Sequence, residues 1–146
     1  MANQIELDRV YMNMAVELSK LSKAERMKVG AIIVKDNHII AEGYNGTPMG
    51  FDNSCEYYDH LGEYHTKSEV LHAESNAITK LARSTQSSDG ATLYCSLSPC
   101  FDCAKIIIQA GIKRVVFLEP YRAWNKGIML LKQANIEAEQ ISCEEA

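Results

Sequence analysis

Four side chains in this sequence have the types and spacing to hold and use a metal ion: His72, Glu74, Cys100 and Cys103. Cys100 and Cys103 stand three apart in Pro99-Cys100-Phe101-Asp102-Cys103, so on one helical turn both sulfurs reach a single ion. They open an apolar run, and the positive end of a helix favours thiolates. His72 adds an imidazole and completes a set of donors that suits zinc. Three protein ligands leave the fourth tetrahedral position open to water, which marks a catalytic site, whereas a structural zinc is closed by four. Glu74, two residues beyond His72, places a carboxylate where it can take a proton from activated water and pass it on. The chemistry this pattern points to is hydrolysis.

Two other readings use the same cysteines. A Cys-x-x-Cys after a strand is also the pattern of a thioredoxin-like redox pair, but such a pair has no use for His72 or Glu74. A structural zinc would need a fourth donor. Cys95 is the nearest, but it lies within a strand pattern, where cysteine is usually a small core residue.

The elements that must position these groups follow from apolar periodicity. Ile5, Val10, Met14, Leu18 and Leu21 repeat at helical spacing over residues 5–21. Val29–Val34 and Ile39–Tyr44 read as strands joined by the turn 35–38, in which His38 is solvated. Residues 45–70 read as one irregular segment rich in Gly, Asn, Asp, Tyr and His, and a loop of that length is usually functional. A helix is expected from His72 to about Arg83, a strand over 91–96 and a helix over 101–110 stopped by Gly111. A strand over 113–118, a helix over 122–134 and a last strand over 136–141 complete the chain. Strands alternating with helices predict one α/β domain spanning residues 1–146, with helices on both faces of a sheet.

Composition narrows the function classes. The 146 residues are 47% hydrophobic, enough for one core without staples. A net charge of −4 argues against general nucleic-acid binding, which needs a basic face. No apolar run approaches the ~20 residues of a membrane-spanning helix. The start of the sequence lacks the charged-then-apolar pattern of a secretory leader. A reducing cytoplasm is therefore expected, where five cysteines are not a disulfide framework.

The His-Ala-Glu and Pro-Cys-x-x-Cys pair resembles the signature of the cytidine and deoxycytidylate deaminase superfamily. Three further stretches resemble its deoxycytidylate deaminases: Arg26–Ala31, Gly43–Gly50 and Ala104–Val116. The resemblance runs from about Ile5 to Ile141. It implies a three-layer cytidine-deaminase-like fold with a mixed five-stranded sheet. It also implies zinc held by His72, Cys100 and Cys103, Glu74 as proton carrier, and dCMP as substrate. Arg26 then becomes the candidate for the substrate phosphate, since an arginine fork matches phosphate oxygens. Without the resemblance it would read as a solvated charge beside Lys23, Glu25 and Lys28.

Asn45 offers a donor and an acceptor to a sugar or base edge, and its glycine neighbours allow close approach. Asn-Gly is also the strongest hairpin signal, but no partner strand is legible after it. Backbone groups at Ala73 and Ser98 are implied for the base edges. Tyr121 and Arg122 follow the fourth strand at its carboxyl end, where open α/β sheets place their ligands, and are secondary candidates for closing over the base or phosphate. The resemblance further implies a homohexamer activated by dCTP and inhibited by dTTP. Asn45, Gly46 and Thr47 form the candidate effector loop, with Mg2+ on the triphosphate. Some relatives bind a second zinc in the region of Cys55, His60 and His65, where a convincing fourth ligand is missing. Trp124 reads as packing or a subunit contact, and Cys143 as incidental.

Overall fold

The hairpin predicted near the start of the sheet forms: β1 (Gly30–Lys35) runs antiparallel to β2 (His38–Tyr44), with Lys35 opposite His38. Its two central residues, Asp36 and Asn37, sit at φ 50 and 62°, the left-handed pair whose twist matches that of the flanking strands. These features come from a computed structural model that describes residues 1–120 and 125–142. The remaining elements are α1 (Gln4–Ser19), β3 (Glu56–Tyr58), β4 (Tyr64–Thr66), α2 (Ala73–Lys80), β5 (Thr92–Leu97), α3 (Phe101–Gln109), β6 (Arg114–Glu119), α4 (Lys126–Gln133) and β7 (Glu137–Gln140). A single 3-10 turn, Leu81–Arg83, extends α2.

The main sheet has the order β2-β1-β5-β6-β7. β1 is antiparallel to both neighbours, and β5, β6 and β7 are mutually parallel, so the sheet is mixed and five-stranded, as expected. Strand alternation divides the core. Ile32, Val34, Tyr94 and Val116 face Met12 and Ala15 of α1. Ala31, Ile33, Leu93, Cys95, Val115 and Phe117 face α2, α3 and α4. Three layers result, helix–sheet–helices. No helix among the described residues is long and apolar enough to cross a membrane.

Two expectations are corrected. Residues 45–70 are not wholly irregular, because β3 and β4 form a separate two-stranded hairpin. Each strand is only three residues long, β3 mostly exposed and β4 half-buried to exposed, so neither shows the apolar alternation that betrays a strand. In addition, α4 begins at Lys126 rather than Arg122, because the Asn125 side chain accepts from the Gly127 and Ile128 N–H groups and caps the helix there. Tyr121, Arg122, Trp124 and Cys143 lie outside the described residues.

α1 is tied to the sheet by a buried ionic cluster. The Arg114 guanidinium forks onto both Asp8 oxygens at 2.8 and 2.6 Å, and also bonds Glu139. The Tyr94 hydroxyl donates to Asp8 at 2.6 Å. Burial pushes the Asp8 carboxyl up, but the bonds from Arg114, Tyr94 and Gln4 outweigh it and hold the group below its ordinary 3.8. Asp8→Ala leaves the Arg114 charge buried without this partner and should cost about 3 kcal/mol in urea unfolding. Because the folded pKa is depressed, this stabilisation is complete above the unfolded value near 3.8 and is lost as pH falls through the folded one. The acid limb of the stability curve should flatten in the variant. An unchanged limb and an unchanged unfolding midpoint would show that the cluster contributes nothing.

Candidate active site

Two helix N-termini meet beside the carboxyl end of β5. His72 caps α2 and Cys100 caps α3, and both have extended backbone. Bare backbone permits this approach. A Cβ on Gly43 of β2 would stand 2.7 Å from both the Ala73 oxygen and the Ala77 nitrogen of α2. A Cβ on Gly127 of α4 would collide with the carbonyl oxygens of Pro99 and Cys100. Asn125, the α4 cap, donates to the Ser98 hydroxyl at 2.5 Å and ties the same turn from the side.

The juxtaposition brings together what the motif spacing predicted. The Cys100 and Cys103 sulfurs lie 3.4 and 3.3 Å from the His72 Nδ1. The Cys103 N–H points at the Cys100 sulfur, 3.5 Å away. Tetrahedral zinc, with Zn–S and Zn–N bonds of about 2.3 and 2.0 Å, sets such donors about 3.5 Å apart, so the group fits that ion. The three donor atoms lie within 4.8 Å of one another, and no fourth His, Cys, Asp or Glu joins them among the described residues. That leaves one tetrahedral position open. Cys95 is fully buried within the sheet, with its thiol directed at the Val116 carbonyl 3.7 Å away, and it takes no part.

The electrostatics are those of a cation site. The Cys103 thiol, followed by the His72 ring and the Cys103 N–H, stabilises a Cys100 thiolate and holds its pKa down to about 4. Cys103 moves the other way, because its thiol hydrogen bond to Cys100 and its burial both oppose a second thiolate beside the first. The His72 imidazole is raised, first through its bond to Cys100. A dication supplies the charge that allows both sulfurs to ionise. Glu74 is 3% exposed, and burial pushes its carboxyl up to about 7. A carboxyl in that range can both accept and release a proton near neutral pH.

These groups open onto a cavity of about 520 Å³. Arg26, Asn45, Ala73 and Ser98 line it together with His72, Glu74 and Cys100. The Ser98 N–H is donated to the Glu119 carbonyl, which pins the turn leading to Cys100. Gly46 and Thr47 stand outside the lining. Gly46 forms a two-way backbone bridge with Leu71, the residue before His72, and the Thr47 hydroxyl donates to the Asp52 carbonyl. Cys55, His60 and His65 do not converge on one ion. Cys55 is buried with its thiol on the Asn53 carbonyl, and His65 instead pairs with Asp59 at 2.7 Å.

Sequence reasoning overlooked Glu56, which is buried in the cavity wall with its carboxylate turned to the backbone of Glu25 and Arg26. No motif marks it. Its only local signal was an acidic residue directly after the buried Cys55.

Comparison with known proteins gives the same account. Residues 5–119 match the model for the cytidine and deoxycytidylate deaminase zinc-binding region. The chain is similar to the deoxycytidylate deaminase of Enterobacteria phage T4, 35% identical over 86% of this chain and 85% of that one. It is also similar to ComE operon protein 2 of Bacillus subtilis, 36% identical over 97% and 75%. The crystal structure of dCMP deaminase from the cyanophage S-TIM5, in complex with dCMP and dUMP, superposes with a TM-score of 0.88 at 45% identity. That match covers 96% of this chain and 100% of that one. With its His-Cys-Cys zinc group inside the matched region, the chain belongs to the cytidine and deoxycytidylate deaminase family.

Proposed function

We propose that this protein hydrolyses dCMP to dUMP and ammonia. The observation that carries the reading is one cavity lined by His72 and Cys100 of the zinc group, by the buried Glu74 and by Arg26. Its volume suits a small molecule. Likeness to a dCMP deaminase that binds dCMP and dUMP points to the same ligand here.

When bound to His72, Cys100 and Cys103, zinc supplies an acidified water and electrostatic stabilisation of developing charge. The Glu74 carboxylate accepts a proton, delivers it to N3 of the cytosine, and carries another to the departing amine nitrogen. Because Glu74 is shielded from solvent, its proton goes to the substrate in preference to bulk water. The N–H of Ala73, in the first turn of α2, has no acceptor within the helix and is available to a base edge. Ser98 and Asn45 line the same cavity and are the residues assigned to the base and to the sugar.

Ammonia release from dCMP, cytidine, dCTP and tRNA tests the assignment. Turnover of dCMP well above the other three is expected. A preference for cytidine or tRNA would overturn it.

Arg26 is exposed and makes no side-chain hydrogen bond or ion pair among the described residues, so its guanidinium is available to a phosphate. Arg26→Ala should raise KM for dCMP by ~10- to 100-fold, the loss of a charge-assisted bidentate contact. Deoxycytidine, which has no phosphate, should be nearly unaffected. Equal losses on both substrates would make Arg26 a structural residue.

The same reading includes regulation: activation by dCTP and inhibition by dTTP, with Mg2+, at the Asn45–Thr47 loop of a homohexamer. Physical support comes from the Gly46–Leu71 bridge, which joins that loop to the residue preceding His72. Initial rates should be sigmoidal in dCMP and become hyperbolic with dCTP. Curves that neither triphosphate changes, except by competition, would remove this part alone.

A further inference from the structure

The segment that carries Arg26 has no regular structure. It links the end of α1 to the start of β1, and its backbone groups need partners from elsewhere. Two side chains provide them. Glu56, at the start of β3, turns one carboxylate oxygen, Oε2, onto two consecutive N–H groups, those of Glu25 at 3.0 Å and Arg26 at 3.2 Å. Asn45, at the end of β2, takes the far side: its amide donates to the Met27 carbonyl at 2.7 Å, and its oxygen accepts from the Val29 N–H at 2.9 Å. The Ser22 hydroxyl donates to the Asn45 carbonyl at 2.8 Å and joins the two ends of the segment. Ala24 is 3% exposed and anchors the same bend in the cavity wall.

Arg26 is thus held at its backbone from both sides, while its guanidinium bonds no other side chain among the described residues. We infer that Glu56 is a positioning residue for phosphate recognition, fixing the Glu25–Arg26 backbone so that Arg26 meets the nucleotide phosphate preorganised. The inference rests on the proposed dCMP reading. Three features separate it from ordinary loop packing. Glu56 is 8% exposed, and a buried carboxylate needs compensation of the kind two N–H donors supply. It lines the substrate cavity beside Arg26 and Asn45. Finally, it reaches this segment from the hairpin, whose Tyr64 hydroxyl also donates to the Glu25 carboxylate at 2.6 Å. The hairpin therefore has a task at the active site although it adds nothing to the main sheet. Ordering the arm before binding removes an entropic cost that would otherwise weaken the complex.

The test compares Glu56→Ala, Glu56→Gln, Arg26→Ala and the double variant Glu56→Ala/Arg26→Ala. Readouts are kcat and KM for dCMP and deoxycytidine, and calorimetric Kd for dUMP. Glu56→Ala should raise KM for dCMP and Kd for dUMP by ~10-fold, the loss of one charge-assisted clamp, while kcat stays within about twofold. Deoxycytidine kinetics should move less than about twofold. Glu56→Gln keeps a carbonyl acceptor for both N–H groups and should recover most of the affinity. Because Glu56 acts through Arg26, the double variant should be no more than about twofold worse than Arg26→Ala. Multiplying effects, equal losses on deoxycytidine, or a Glu56→Gln variant as impaired as Glu56→Ala would overturn the positioning role. Wild-type protein that neither deaminates dCMP nor binds dUMP would overturn both this role and the substrate reading. Normal wild-type turnover with additive variants would overturn the positioning role alone.

Discussion

Glu74→Gln should lower kcat by ~10²- to 10⁴-fold while zinc remains bound, the range expected when a general acid–base group is removed. Glutamine matches the shape of the carboxylate but cannot ferry a proton. The metal should stay because Glu74 is not one of the three converging donors. Folding should not suffer either. Glu74 is 3% exposed, and glutamine fills the same buried space without a change of volume, so the melting temperature should move little. Substrate affinity should move little, since the role concerns the transition state rather than the ground state. The check is kcat, zinc content by mass spectrometry and a melting curve on one preparation. Near-wild-type turnover with zinc present would remove Glu74 from the mechanism.

How far the sequence exposes this site depends on whether a group's function requires local spacing. Cys100 and Cys103 must share a helical turn, and Glu74 must follow His72 closely, so both halves of the zinc site are legible as motifs. The three central strands of the main sheet are legible for a related reason. Runs such as Ala31–Val34 and Val115–Phe117 are buried on both faces and read as short continuous apolar stretches, whereas the edge strands β2 and β7 are only partly buried.

Glu56 and the β3–β4 hairpin follow no such rule. Each hairpin strand has only three residues and is held by its turn and its tyrosines rather than by core packing. The start of α4 is set by one capping side chain, Asn125, whereas the apolar pattern drifts smoothly through that boundary. Asn45 is an intermediate case. Its loop stands out in the sequence and Asn45 itself lines the cavity, but its amide is engaged with Met27 and Val29, contacts that no local pattern announces. Glu25 and Glu56 are 31 residues apart, and no local pattern links a carboxylate to backbone N–H groups at that distance.

Removal of the metal, by chelation or by Cys103→Ala, should abolish activity, and the two routes should differ in a way that identifies the site. Cys103 is the better ligand to delete, because Cys100 also caps α3 and its loss would confound metal binding with helix stability. In wild-type protein, a strong chelator should bring turnover to background, and stoichiometric zinc, about one ion per chain, should restore it. Chelation should also lower the melting temperature. An ion present at about 1,000 times its Kd stabilises the folded state by about 4 kcal/mol, and removing it forfeits that amount. Cys103→Ala leaves only His72 and Cys100 as donors, too few for tight binding. This variant should be isolated without zinc and stay inactive when zinc is added. It should also melt at the same temperature with or without chelator, because it has no bound ion to lose. A cysteine that served only in packing would behave differently. Its removal would lower the melting temperature, but the chelator response and the zinc content would persist. Full turnover in protein stripped of zinc would refute the metal-dependent mechanism and, with it, the roles assigned to His72 and both cysteines.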